Sequence, residues 1–406
     1  MRSTDAPFER KPSIEPAEHI KSISEYYFAA KLSEVAKMNA GGKNVINLGV
    51  GAPDLSPSEE TINALCSNAF RPDVHAYQPY AGMPELRQAY ADWYRRFYDV
   101  TLTEGEVLPL IGSKEGILHI SLTFLNIADG VLIPNPGYPT YKSVSNLLRA
   151  RVIEYDLLEN NGWLPDFDAL EKMDLSNVKL MWVNYPNMPT GTNGSKELFE
   201  KLVAFGKKHN IIICHDNPYS FILNNQPMSI LSVDGAKEIC IELNSLSKSH
   251  NMSGWRMGLL ASNKQFVQWV LKAKSNIDSG QFKPMQMAAI AALSNPTEWH
   301  SNMNKVYAER RKVAEKIMEL LHCSFDKSQV GLFLWGKLPE KAADSKTFID
   351  SLLNNTCVFI TPGSIFGSNG ERYIRISLSS SASKLLEAYE RIRDWDELDS
   401  LLQIDN

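Results

Sequence analysis

The sequence predicts an α/β protein: a large domain with a mainly parallel central sheet flanked by helices, and a smaller α+β domain formed by the N-terminal segment and the C-terminal part. Three observations carry this. At 406 residues the chain exceeds what a single core organises. Through its middle, short apolar segments rich in β-formers alternate with stretches of helical period, the texture of a doubly covered parallel sheet. From about Asn295 that alternation gives way to a long charged amphipathic helix, two further strands and a terminal helix. The expected division is an arm at 1–45, a large domain at 46–294 and a small C-terminal domain at 295–406.

Taken in order, Leu86, Tyr90, Trp93, Tyr94 and Phe97 recur at spacings of three and four, predicting a helix over Glu85–Phe97. Pro84 suits its first turn, and Arg95 and Arg96 suit the negative end of its dipole. A strand follows over Val107–Ile111, then a helix over Ile117–Phe124. Strands are predicted over Val131–Pro134, Val178–Asn184, Ile211–Cys214, Ile239–Leu243 and Met257–Ala261. Ser195 caps a helix over Lys196–Lys208. Beyond Asn295 come a helix over Asn302–Leu321, strands over Val330–Trp335 and Thr356–Thr361, and a helix from Ser383.

Composition excludes several functions. With 42 Lys+Arg against 47 Asp+Glu the net charge is −5 and no block of like charge stands out, which disfavours nucleic acid and anionic membrane surfaces as partners. The apolar runs are too short to span a bilayer, and the N-terminus lacks the apolar stretch of a secretory signal. The five cysteines are scattered and never spaced C-x-x-C, so neither disulfides nor a zinc ribbon is expected, and a reducing, cytoplasmic setting is. The eight histidines show no ligand spacing, and no metal is expected.

Chemistry concentrates in Ser245-Leu-Ser-Lys248-Ser-His-Asn-Met-Ser-Gly254-Trp-Arg256-Met-Gly258, directly after an apolar strand. A lysine there, among small hydroxylated residues and flexible glycines, can lose its proton in a dry site and form a Schiff base. Asp216 stands at the carboxyl end of another strand, where ligands bind in open α/β sheets. Gly112, Ser113 and Lys114 open a helix after a strand, and free amides at such a start attract an anion.

The complete S-x-S-K-x-x-x-x-x-G-x-R-x-G pattern resembles the fold-type I pyridoxal-phosphate aminotransferases of class I/II, and the resemblance runs from about Ile46 to Ile376. It implies pyridoxal 5'-phosphate as cofactor, held by Lys248 through an aldimine, and a ping-pong transfer of an amino group from an amino acid to a 2-oxo acid. Lys248 would then move the proton between substrate and cofactor. Asp216 would face the pyridinium nitrogen, Tyr219 the 3' oxygen and Tyr138 the ring face. Ser245, Ser247, Arg256, Gly112, Ser113 and Lys114 would hold the phosphate. The motif Tyr373-Ile-Arg375-Ile-Ser377 supplies the arginine that binds the substrate α-carboxylate, a planar fork suited to it. The segment Asn47 to Asp54 supplies the Gly51 amide for the same group. Tyr77, in His75-Ala-Tyr77-Gln-Pro-Tyr-Ala-Gly82, would reach the phosphate of a neighbouring subunit, implying a homodimer. Tyr26 and Ser279 or Gln281 would line the partner's pocket.

One departure stands out in Val183-Asn-Tyr-Pro-Asn187-Met188-Pro-Thr-Gly191. Where the family has an asparagine that donates to the cofactor's 3' oxygen, this chain has Met188, which has no such donor. Either Asn187 takes the role or Tyr219 acts alone. Lys114 has two readings, a distal-carboxylate contact that hints at aspartate, glutamate or diaminopimelate-like substrates, or a phosphate support. Within the same fold the alternative activity is a carbon–sulfur or other β/γ-lyase. A cofactor-binding sensor fused to a DNA-binding module is disfavoured because no helix-turn-helix or basic segment is recognisable, and a catalytically dead relative is disfavoured because Lys248 and Asp216 are both present.

Overall fold

The computed structural model describes residues 14–21 and 27–402. Its strands, in chain order, are β1 (Ile46–Asn47), β2 (Val107–Leu110), β3 (Gly130–Asn135), β4 (Arg151–Asp156), β5 (Val178–Val183), β6 (Ile212–Asp216), β7 (Cys240–Ser245), β8 (Gly258–Ala261), β9 (Phe333–Lys337), β10 (Val358–Phe359), β11 (Thr361–Pro362) and β12 (Tyr373–Ser377). Seven of them form one sheet in the order β2-β8-β7-β6-β5-β3-β4. All the pairings from β4 across to β7 are parallel, and β8 alone runs against both of its neighbours. The predicted α/β class holds.

Burial on both faces explains why the inner strands read as continuous apolar runs: every residue of β2, β3, β7 and β8 is buried. The strand of this sheet absent from the sequence reading is β4, an edge strand with exposed Arg151, Glu154 and Asp156, whose polar outer face breaks the run. On one face the helix Pro84–Tyr98 packs Leu86, Tyr90, Trp93, Tyr94 and Tyr98 into the core. Each such large side chain contributes about 2 kcal/mol by leaving water. The helix stops where Asp99 turns left-handed. Ser195 caps the helix Lys196–His209 by accepting from the Leu198 amide at 3.1 Å, a contact that contributes about 1 kcal/mol.

The C-terminal half differs in detail from expectation. The long helix starts earlier, at Thr297–Leu320, and the first strand is shifted to β9. The segment expected as one strand over Thr356–Thr361 is three pieces. Thr356 ends the helix Ser345–Thr356, left-handed Cys357 caps it, and the chain then forms β10 and β11. Strands β11, β12 and β9 make an antiparallel sheet, and β1 pairs in parallel with β10. Ile46 and Leu48 therefore share an apolar core with Phe333, Ile349, Val358 and Ile376, whereas Ala289 and Leu293 pack with the large sheet. Among the described residues, no helix is long and apolar enough to cross a membrane.

Candidate active site

The carboxyl ends of β5, β6 and β7 open onto a cavity of about 400 Å³, closed on its other side by residues of the C-terminal core. Four cations, Lys114, Lys248, Arg256 and Arg375, and one carboxylate, Asp216, line it. Such an excess of positive charge in a low-dielectric cleft selects an anion.

Lys248 sits in the one-turn helix Leu246–Ser249, which Ser245, the last residue of β7, caps by accepting from the Ser247 amide. Its Nζ donates to the Gly51 carbonyl. Burial, with help from the Arg375 and Arg256 charges, pushes its pKa down to about 8, so the amine gives up its proton far more readily than a solvated lysine. Arg256 approaches from the turn before β8, in a left-handed conformation at φ 57°, and its Nη1 donates to the Ser253 carbonyl at 2.8 Å. Gly112 stands against it: a Cβ there would lie 2.2 Å from Arg256 Nη2. A Cβ at Gly258 would come within 2.8 Å of the Ser113 amide nitrogen. These two glycines let the start of the helix Ser113–Phe124, the Arg256 guanidinium and the Ser245–Ser247 turn converge on one cradle. Lys114 lines the same cavity, its pKa lowered by burial and by Arg256.

At the far end Asp216 is 5% exposed. Its Oδ2 accepts from the Tyr141 hydroxyl at 2.9 Å, and its Oδ1 is buried with no partner. Burial raises its pKa to about 6 against the lowering effects of Tyr141 and His215. Tyr141 is locked by stacking on Trp182, with centroids 5.0 Å apart and planes 7° from parallel. The Asn184 amide donates to the Asp216 carbonyl at 2.6 Å and its Oδ1 accepts from the Met188 amide at 2.7 Å, tying the 184–191 loop to β6. Tyr138 and Tyr219 also line the cavity, Tyr138 edge-on to Tyr141 at 5.6 Å and Tyr219 edge-on to Phe333 at 5.6 Å.

Arg375, on β12, is 3% exposed and faces the cavity. Its Nη2 donates to the Gly49 carbonyl at 2.7 Å, and its guanidinium lies 3.9 Å from the Phe333 ring centroid and 4.7 Å from that of Phe366. Gly51 joins the lining, pressed so close that a Cβ would meet Phe333 at 2.3 Å.

The cavity thus gathers Lys248, Asp216, Tyr219, Tyr138, Ser113, Lys114, Ser245, Ser247, Arg256, Arg375 and Gly51. Asn187 is a correction. Its Oδ1 accepts from the Thr190 hydroxyl at 2.8 Å and its amide donates to the Asn184 carbonyl at 3.1 Å, so the side chain is spent holding its own loop. Met188 lines the cavity instead, its sulfur 3.1 Å from Arg375 Nη1. Gln281 donates its amide to the Arg256 and Leu110 carbonyls at 2.9 and 3.2 Å, and neither it nor Ser279 lines this chain's own cavity. Tyr77, 92% exposed, lies outside it too, and Tyr26 lies outside the described residues. Tyr141 and Asn184 were missed. Tyr141 lies three residues after Tyr138 on the helix Pro139–Leu147, a spacing that shares a face and could have flagged it. Away from the cavity, Glu115, His119 and Asp278 bring potential ligand atoms within 4.8 Å of one another, but Lys274 already pairs Asp278 at 2.5 Å.

The description of class I and II aminotransferases matches residues 43–392. The chain belongs to the class I and II aminotransferase family. This family uses pyridoxal phosphate, and its members move amino groups between amino acids and 2-oxo acids. The aminotransferase is 40% identical to LL-diaminopimelate aminotransferase of Aquifex aeolicus over 384 residues, 94% of this chain and 99% of the relative. Among solved structures, substrate-bound BacF of Bacillus subtilis is 36% identical and superposes with a TM-score of 0.89, covering 94% of this chain and 98% of the other. A variant aspartate aminotransferase of Thermus thermophilus shares the fold at 22% identity and TM-score 0.87, with 94% and 99% covered.

Proposed function

We propose that this aminotransferase binds pyridoxal 5'-phosphate in the cavity and uses a diaminopimelate-like diamino dicarboxylate as its amino donor. One observation carries the cofactor reading: a lysine of lowered pKa and a carboxylate oxygen without a partner face one cavity whose cradle of amides, hydroxyls and a guanidinium suits a phosphate dianion. The residues fit the group at each of its polar ends.

When bound, the cofactor supplies an electron sink for the pair released at the substrate α-carbon. The chain's own part follows from its geometry. Arg256, Ser245, Ser247, Ser113 and the amides after Gly112 bind the phosphate. Asp216, its Oδ2 fixed by Tyr141, has Oδ1 free to face the ring nitrogen and would favour the proton there. Tyr138 would pack against the ring, and Tyr219 would donate to the 3' oxygen. The Lys248 amine, its pKa lowered by burial, would hold the cofactor and, once released, could accept and return the α-proton. Arg375 and the Gly51 segment would orient the α-carboxylate, and Lys114, which lines the same cavity, would meet a second one. The relatives named for LL-diaminopimelate support that substrate. The exposed Tyr77 completes the phosphate site of a second copy, so the active unit is a homodimer.

Incubation of the purified protein with pyridoxal 5'-phosphate is expected to produce a lysine-bound chromophore that Lys248→Ala abolishes. A panel of amino donors against 2-oxoglutarate is expected to rank LL-diaminopimelate first, and Lys114→Met to raise KM for that donor far more than for a monocarboxylic one. Unchanged absorbance in Lys248→Ala rejects the lysine assignment, and a monocarboxylic first choice rejects the substrate.

A further inference from the structure

Directly behind Asp216, on the opposite face of the sheet, His215 and Glu242 are cross-strand neighbours on β6 and β7, both fully buried. The His215 Nε2 lies 2.8 Å from the Tyr185 carbonyl, which only accepts, so this nitrogen carries a hydrogen. The Nδ1 lies 2.8 Å from Glu242 Oε2. That oxygen also accepts from the Ser229 hydroxyl at 2.9 Å and the Ile230 amide at 3.0 Å, while Oε1 accepts from Tyr94 at 2.7 Å. The Ser229 hydroxyl itself accepts from the Leu231 amide, leaving its hydrogen for Glu242. A carboxyl group carrying its own proton on Oε2 would have to place it among two other donors. A carboxylate takes all four, so the proton in the His215–Glu242 contact belongs to the ring.

We propose that His215 is a buried imidazolium, fixed by Glu242, that keeps the neighbouring Asp216 carboxylate ionised for the cofactor's ring nitrogen. His215 touches neither Asp216 nor the cavity and acts as a positioning residue through its charge. Beyond Glu242 itself, the titratable groups facing the pair are Tyr94, bonded to Glu242 Oε1, Tyr98 and Cys240, which feel the Glu242 charge, and Tyr141 on Asp216; Phe199 covers the imidazole at 5.0 Å. Without a cation behind it, a carboxylate this buried drifts toward its neutral acid. The His215 charge acts on Asp216 with the required sign, lowering its pKa. The inference rests on the cofactor reading above.

The test is solid-state ¹⁵N spectroscopy of histidine-labelled protein, with and without cofactor, at pH 8.5, where an ordinary imidazole has lost its proton. One ring with both nitrogens protonated is expected in each form; a neutral His215 overturns the proposal. Pyridoxal phosphate labelled with ¹⁵N in its ring then reads the consequence. His215→Gln is expected to shift the ring nitrogen toward its unprotonated position and to weaken cofactor retention about tenfold, for a change of about one pKa unit at Asp216. Glu242→Gln keeps the ring but removes its counter-charge, and should do the same if His215→Gln does not fold. An imidazolium whose loss leaves the cofactor nitrogen unchanged also overturns it. If the protein takes up no cofactor, the parent reading fails, and the His215 signal of the cofactor-free protein is still scored on its own.

Discussion

Two residues of the site are held at a cost that the sign of their titration reveals. In the cofactor-free protein Asp216 titrates near pH 6 rather than 3.8, so between those values the folded chain binds more protons and stability falls as pH rises. Lys248 titrates near 8 rather than 10.5, so between those values the unfolded chain binds more, and its contribution rises with pH. At pH 7 both groups are destabilising. Asp216→Asn is therefore expected to raise the thermal stability of the cofactor-free protein at pH 7 by about 1–3 kcal/mol while removing transaminase activity. Urea titrations at pH 4 and pH 7 check it, since the gain should shrink toward pH 4. Lys248, Asp216, Arg256 and Arg375 were all legible in the sequence because their motifs fix residue type and spacing. Tyr141, Asn184 and His215 were not, because each acts through a hydrogen bond or charge that only the assembled strands bring together. Asn187 misled for the converse reason: a side chain of the right type was already committed to its own loop.

Among the elements, the turns at strand ends do most to set the site. The helix Ser113–Phe124 can bring its first amides to the cradle only because Gly112 adopts φ 76° with Arg256 against its α-carbon. Gly112→Ala is expected to displace the guanidinium and weaken cofactor binding at least tenfold with little loss of fold, measured by equilibrium dialysis. Tyr141→Phe removes the donor to Asp216 Oδ2, and its expected effect is a several-fold fall in kcat with KM nearly unchanged. The inner strands were readable as apolar runs, and the edge strand β4 was not. The broken segment from Thr356 to Thr361 looked like a single strand because β-branched and aromatic residues dominate it. The left-handed Cys357 that ends the helix gives no signal in residue type, since an unbranched cysteine is neither glycine nor asparagine.

At the scale of the whole molecule, the exposed Tyr77 is unexplained by one chain, as are Tyr80, 50% exposed, and Phe282, 44% exposed and stacked on His75. Apolar rings gathered at a surface mark an interface. Sedimentation is expected to report a dimer, and Tyr77→Ala to remain dimeric but lose cofactor more readily; a monomeric wild type with full activity would reject the shared site. The substrate side of the cavity has a further consequence, for synthesis. Its Gly51 segment follows β1, whose partner β10 leaves the ribosome roughly 300 residues later, about 15–60 s at ordinary elongation rates. Over that interval Ile46 and Leu48 have no strand to cover them, while β2 to β8 can already pair. The nascent chain can therefore assemble the Ser113, Ser245 and Arg256 end of the cavity before the Gly51 and Arg375 end, and the wait leaves an apolar stretch around Ile46 for a chaperone to shield.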